Sequence, residues 1–157
     1  MTKDVVISVM GLQYAVDDSD AVELISHGEY YFRNDKHFVL YDEITEETVN
    51  KNILKISVAQ KKVELSKKGT VNVQMIFEPG KKYMTYYHTP YGNLLIGLHT
   101  TKVKFVEEEN YLGIHIDYGL AINYTHVSDC TIKIRVRSKH TDKTEKLPAL
   151  HITRHSG

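Results

Sequence analysis

Apolar and polar residues alternate with a period of two along most of this 157-residue chain. The clearest run covers residues 112–124, where aliphatic and tyrosine side chains take every second position and small or polar residues take the positions between. In the run that follows, Ile132, Ile134 and Val136 alternate with basic residues. A period of two is typical of strands with one buried face. The turn-forming residues between these two runs predict an antiparallel hairpin.

Shorter runs of the same kind come earlier in the chain. They cover residues 5–9, 22–32, 38–41, 54–58, 63–65 and 71–77, with polar or Gly-containing turns predicted at residues 17–20, 34–35 and 67–70. Gly28 is expected to kink or bulge its strand. Residues 44–52 carry a helix-start signal, although a loop fits them equally well.

Many strands with almost no helix are typical of a β-sandwich or a β-barrel. Strands of about a dozen residues favour the barrel, because barrel strands are tilted and therefore long. The sequence predicts an all-β, antiparallel closed β-barrel of about eight to ten strands. We expect one barrel domain over residues 1–138, followed by a polar C-terminal tail over residues 139–157.

The most distinctive predicted hairpin covers residues 83–105. Pro90 fixes φ near the value of an early turn position, and Gly92 can adopt a positive φ, so the two predict its turn. Aliphatic residues up to Leu98 share one face, whereas Val103 has the opposite parity. A β-bulge near residues 100–101 would reconcile the two halves of this strand.

Composition narrows the class of protein. Hydrophobic residues make up 41% and charged residues 25%, as in a globular domain. The 20 basic and 20 acidic residues balance, which argues against nucleic acid or an acidic membrane as a partner. No window approaches the roughly 20 apolar residues that span a bilayer. The start of the chain does not have the features of a signal peptide, and Cys130 is the single cysteine, so a cytoplasmic location is expected.

One string within the hairpin resembles a known family. Residues 87–94 read Tyr-His-Thr-Pro-Tyr-Gly-Asn-Leu, and this string, with the spacing of Gly69, Phe77 and Gly80 before it and Tyr118 after it, resembles the YwiB-like bacterial proteins. The resemblance covers roughly residues 5–136. It implies a lipocalin-like (calycin) β-barrel in small soluble proteins, mainly of Gram-positive bacteria. The family is of unknown function and brings no catalytic residues and no cofactor.

Tyrosine is over-represented, with 11 Tyr, 4 Phe and no Trp. Inward tyrosines would line a barrel cavity with apolar rings and a few hydroxyl groups, which suits a small apolar or amphiphilic ligand. The candidate lining residues are Tyr30, Phe32, Met75, Phe77, Tyr83, Tyr86 and Tyr118. The preference of strands for aromatic residues would also account for the tyrosines. We expect a binding protein rather than an enzyme, with no cofactor.

Two alternatives belong to other functional classes. The first is an interaction or assembly module with a filled barrel, which would form a homodimer through an edge strand or through residues 147–152. The second and weaker alternative is a metal-dependent enzyme that uses His99, His115 and Asp117. His115 and Asp117 have the parity opposite to the apolar stripe, so a solvent-facing polar surface is favoured over a metal site. The sequence contains no HExxH motif and no paired cysteines.

Overall fold

The structure is a computed structural model, and it describes residues 1–11, 23–46 and 48–139. The predicted turn at residues 17–20 and the predicted tail from residue 140 onwards lie outside the described residues. Within the described residues the chain forms ten strands: β1 (Asp4–Met10), β2 (Glu23–Arg33), β3 (Lys36–Ile44), β4 (Val49–Ser57), β5 (Lys62–Gly69), β6 (Val73–Phe77), β7 (Lys82–Thr89), β8 (Gly92–Glu108), β9 (Tyr111–Ile122) and β10 (Thr125–Ser138). No helix in this part of the chain is long and apolar enough to cross a membrane.

The strands form one antiparallel sheet that curls into a nearly closed barrel. Their order is β6-β5-β4-β3-β2-β1-β10-β9-β8-β7, so β6 and β7 are the two edges. Asn72 and His88 connect these edges through two backbone hydrogen bonds, each 2.9 Å long. The Gly80 amide also donates to the Thr100 carbonyl oxygen at 2.9 Å. The predicted all-β antiparallel barrel of eight to ten strands is confirmed.

The centre of the barrel is filled by side chains. Every second residue of each strand points inward, as the period of two predicts. The largest side chains that are almost fully buried include Ile7, Leu54, Ile56, Met75, Phe77, Ile116 and Tyr118. The Phe77 and Tyr118 rings meet edge to face with centroids 5.0 Å apart, an arrangement that stabilises aromatic pairs. Burial of this apolar surface is the main stabilising contribution to the barrel.

The predicted bulge in β8 is present. Thr100 pairs with Tyr118 and Lys102 pairs with Asp117, which leaves Thr101 as the extra residue. Because of this extra residue, Leu98 and Val103 both point into the barrel despite their opposite parity. The turn at Pro90 joins β7 to β8 as predicted.

Three local predictions are corrected by the structure. The described residues between 44 and 52 are not helical: β3 runs to Ile44, the Thr45 amide donates a hydrogen bond to the Thr48 carbonyl oxygen, and β4 begins at Val49. The pairing through Gly28 is continuous with both neighbouring strands, so there is no bulge there. A side chain at Gly28 would come within 2.9 Å of a backbone carbonyl oxygen, so the close approach of β3 explains the glycine. Lys67 lies within β5 and not in a turn.

Candidate functional site

Polar side chains occupy one end of the barrel interior. We call this group the polar end, and it consists of Tyr41, Glu43, Asn50, Asn52, Lys67 and Tyr87. Three neighbouring strands supply most of it, because Asn52 pairs with Tyr41 on one side and with Lys67 on the other. These residues continue the inward parity of the aliphatic core residues in the same strands, so the sheet directs them inside.

An ion pair lies within the polar end. The Lys67 ammonium is 2.5 Å from a Glu43 carboxylate oxygen, and the two side chains are 9% and 24% exposed. Burial raises the pKa of the Tyr41 hydroxyl, and the Glu43 carboxylate adds to that rise. Burial likewise raises the pKa of Tyr87, again with a contribution from Glu43. Both tyrosines are therefore protonated at neutral pH and can donate hydrogen bonds.

Two buried asparagines differ sharply in their hydrogen bonding. Asn50 is 2% exposed, and its side-chain oxygen accepts a hydrogen bond from the Val71 amide at 2.9 Å. Asn52 is 1% exposed, yet neither its oxygen nor its nitrogen has a partner among the described residues. A buried amide without partners costs about 1–3 kcal/mol, and most buried polar groups in proteins avoid this cost. Asn52 is thus the residue of the polar end whose side-chain donor and acceptor are both buried and unpaired among the described residues.

Two buried hydroxyl groups without hydrogen-bond partners among the described residues lie nearer the centre of the barrel. Thr100 and Tyr118 are cross-strand partners, and neither hydroxyl oxygen has a hydrogen-bond partner in the described part of the chain. Burial raises the pKa of Tyr118, and the neighbouring Cys130 adds to this rise. These hydroxyls are surrounded by packed apolar side chains, whereas Asn52 adjoins an ion pair and a further polar residue. The polar end is therefore the stronger candidate site.

A hydrogen-bonded chain of three residues lies at the opposite end of the barrel. The Tyr30 hydroxyl lies 2.7 Å from Nδ1 of His37, and Nε2 of His37 lies 2.9 Å from a Glu107 carboxylate oxygen. In the neutral tautomer that fits both contacts, Tyr30 donates to His37 and His37 donates to Glu107. Burial raises the pKa of Tyr30, with a smaller contribution from Glu107. The chain connects β3 to β8 across the barrel, which is a structural role.

The predicted cavity residues do not gather into one site. Met75, Phe77 and Tyr118 point inward, but they belong to the packed core. Tyr30 bonds to His37, and Phe32 is 54% exposed at the end of β2.

Tyr83 and Tyr86 lie on opposite faces of β7. Tyr83 points inward, and its hydroxyl donates to a Glu78 carboxylate oxygen at 2.9 Å. Tyr86 is 56% exposed and stacks on His88 outside the barrel, so its placement in the interior was wrong. The period of two along β7 directs Tyr87 inward instead.

The predicted metal residues lie on the outer face. Nε2 of His115 is 3.0 Å from a carboxylate oxygen of Asp117, whereas His99 pairs with Gly119 further along the strands. A hydrogen bond from Thr131, followed by the charge of His115, lowers the pKa of Asp117. Among the described residues, no group of three or more His, Cys, Asp or Glu side chains is arranged to hold a metal ion.

Sequence reasoning missed the polar end because it treated polar residues as outward-facing or as turn residues. The signal was nevertheless present, since Asn50 and Asn52 share the parity of Leu54 and Ile56. A run that reads Asn-x-Asn-x-Leu-x-Ile predicts that the two asparagines point to the same side as the aliphatic core.

Comparison with known proteins supports the fold and the family. The crystal structure of ywiB protein from Bacillus subtilis is similar, with a TM-score of 0.72 and 20% sequence identity over 87% of this chain and 92% of that chain. At this identity the similarity shows the fold alone. Comparison with curated protein sequences gives no match. The family model described as "Domain of unknown function (DUF1934)" matches residues 7–134. Because that match spans well over half of the sequence, the chain belongs to the DUF1934 family, as the resemblance to YwiB-like proteins predicted.

Proposed function

We propose that this protein is a non-catalytic binding protein that holds a small amphiphilic molecule at the polar end of its barrel. The observation that carries the proposal is the Asn52 carboxamide, which is buried to 99% and has no hydrogen-bond partner among the described residues. A bound head group would satisfy both its donor and its acceptor. The likeness to lipocalins, in which one small ligand enters a barrel end, is part of this proposal.

The chemistry of the polar end favours a neutral, hydrogen-bonding head group. Lys67 and Glu43 neutralise each other, so a ligand with a net charge would gain little from them. Asn52 offers both donors and an acceptor, and the Tyr41 hydroxyl offers a donor. Leu65 and Val73, which lie beside Lys67 on the inner face, would contact the apolar part of the ligand.

The electrostatics of the polar end support binding over catalysis. A general acid or base works best with a pKa near the working pH. Here the pKa values of Tyr41 and Tyr87 are moved upward, away from neutrality, and the one ammonium group is paired with a carboxylate. Burial therefore keeps the Tyr41 and Tyr87 hydroxyls protonated, which suits recognition through hydrogen bonds.

The alternative of assembly through an edge strand has weaker support. The β6 and β7 edges face each other and share the hydrogen bonds between Asn72 and His88. Edges that are engaged with each other offer few free backbone groups to a partner strand. The version of this alternative that uses residues 147–152 concerns residues outside the described part of the chain.

Native mass spectrometry of the protein purified from cells tests the proposal. We expect a bound mass in the natural protein and in the control Tyr86→Phe, whose side chain lies outside the barrel. The variant Asn52→Leu should lose that mass while it retains the β-sheet circular dichroism spectrum of the natural protein. A natural protein with only its own mass, or an equal bound mass in Asn52→Leu, would contradict the proposal.

A further inference from the structure

We propose a second site, on the outer face of the barrel, that binds a compact phosphate-bearing anion with several negative charges. The site is a groove of about 390 Å³ along β9, which we call the basic groove. Its lining includes Lys102, Lys104, Lys133, Arg135, His115 and Tyr111. It lies on the opposite side of the sheet from the polar end, so it is independent of the function proposed above.

β9 forms the floor of the basic groove, and the Tyr111 ring lies over its Gly113. Gly113 is buried beneath the Tyr111 ring, and a side chain at Gly113 would come within 2.9 Å of the Tyr111 hydroxyl oxygen. Long basic side chains on the two neighbouring strands form the walls. A groove bounded by such side chains gives a ligand more contact than a flat sheet surface does.

The register of the sheet concentrates positive charge in this groove. His115 pairs with Lys104 on β8 and with Lys133 on β10, so a lysine lies on either side of this histidine in one row of the sheet. Arg135 pairs with Gly113 in the next row. Like charges on neighbouring strands destabilise a sheet unless an opposite charge lies between them. A bound anion would supply that charge.

One carboxylate, Asp117, lies beside the groove, where it contacts His115 and pairs across strands with Lys102. Asp117 accepts hydrogen bonds from Thr131 at 2.8 Å and from His115 at 3.0 Å. Neither Lys104 nor Lys133 forms an ion pair with any residue that the structure describes. Their charges are therefore not neutralised locally, although the chain as a whole has no net charge.

The size and the donors of the groove select the ligand class. Its volume is at the lower end for small-molecule sites, which favours a compact ligand over a polymer. Lysine and arginine are the usual partners of phosphate oxygens, and several phosphoryl groups in one ligand would contact several of these cations together. An inorganic oligophosphate and the phosphate chain of a nucleotide share this chemistry.

Isothermal titration calorimetry with inorganic tripolyphosphate tests the basic groove. The double variant Lys104→Gln/Lys133→Gln should bind tripolyphosphate at least about tenfold more weakly than the natural protein. The control Lys61→Gln/Lys68→Gln removes the same charge from exposed positions elsewhere and should bind as the natural protein does. Binding by the natural protein should also weaken as salt is added.

Further titrations separate the sources of phosphate. Adenosine triphosphate that binds more tightly than tripolyphosphate, with the same loss in the double variant, would support the site and identify a nucleotide as its ligand. Equal affinities for the two ligands would support an oligophosphate. No binding of either ligand, equal weakening in the control variant, or binding of single-stranded oligonucleotides alone would overturn the proposal. None of these outcomes depends on the polar end.

Discussion

Two asparagines on one face of β4 illustrate how hydrogen bonding separates a structural residue from a site residue. The Asn50 side-chain oxygen accepts a hydrogen bond from the Val71 amide, whereas the Asn52 side chain forms no hydrogen bond with the described residues. We predict that Asn52→Leu raises the free energy of unfolding of the ligand-free protein by about 1 kcal/mol, because leucine has a similar volume and no unsatisfied polar atoms. We predict that Asn50→Leu lowers it by about 1–3 kcal/mol, because the Val71 amide loses its acceptor.

Urea denaturation of the two variants measures these changes. The natural protein is first stripped of bound small molecules by refolding, so that all three proteins are compared without a ligand. A loss of stability in Asn52→Leu as large as that in Asn50→Leu would show that Asn52 is a structural residue, contrary to this assignment.

The lowered pKa of Asp117 predicts how the stability of the protein changes with pH. Its pKa is lowered chiefly by the hydrogen bond from Thr131, so Thr131→Val should raise that pKa towards the usual range of aspartate. A group with a lowered pKa in the folded state stabilises the fold above its unfolded pKa, and this contribution is lost as the pH falls through the folded value. The natural protein should therefore be more stable than Thr131→Val at pH 7, and the difference should shrink in acid.

Carboxyl NMR titration measures the pKa of Asp117 directly in both proteins. Asp129→Asn, which changes an exposed acid on β10, the strand that carries Thr131, serves as the control and should leave the Asp117 titration unchanged. An unaltered Asp117 pKa in Thr131→Val would contradict the assigned cause.

At the scale of the element, one extra residue, Thr101, sets which side chains in the second half of β8 point into the barrel. Deletion of Thr101 removes the bulge but keeps Val103 pointing inward, because Lys102 then follows Thr100 in regular alternation. Deletion of Lys104 turns Phe105 outward and breaks the contact between Glu107 and His37. We predict that deletion of Lys104 destabilises the protein by at least about 2 kcal/mol more than deletion of Thr101 does.

Thermal or urea denaturation of the two deletion variants gives the comparison. Each variant loses one residue from the same strand, so they act as controls for each other. Equal stabilities would mean that the direction of the β8 side chains contributes little to the fold.

At the scale of the whole molecule, the sequence predicts the barrel, whereas for the candidate site it indicates only that Asn50 and Asn52 point inward. Alternation is enforced by burial over many residues, so it specified the strands, the bulge near Thr101 and the antiparallel sheet. Lys67 meets Glu43 because β5 and β3 flank β4 on either side, and the alternation within one strand does not indicate a contact between two others. The polar end was missed because buried asparagine and lysine depart from the general rule that interiors are apolar.

The interior of the barrel also explains why the predicted lining residues do not gather into one site. Large aromatic residues such as Phe77 and Tyr118 fill the centre instead of leaving space there. Polar residues are gathered instead at one end of the interior, which is where we propose that a ligand binds. Departures from an apolar interior are expected at functional sites, since such sites sacrifice stability for recognition.

The most direct measurement is a high-resolution crystal structure of the protein as purified from cells, with no ligand added. The account predicts non-protein electron density larger than a water molecule within hydrogen-bonding distance of the Asn52 side-chain oxygen or nitrogen. An Asn52 carboxamide that bonds only to protein groups or to ordered water would contradict it.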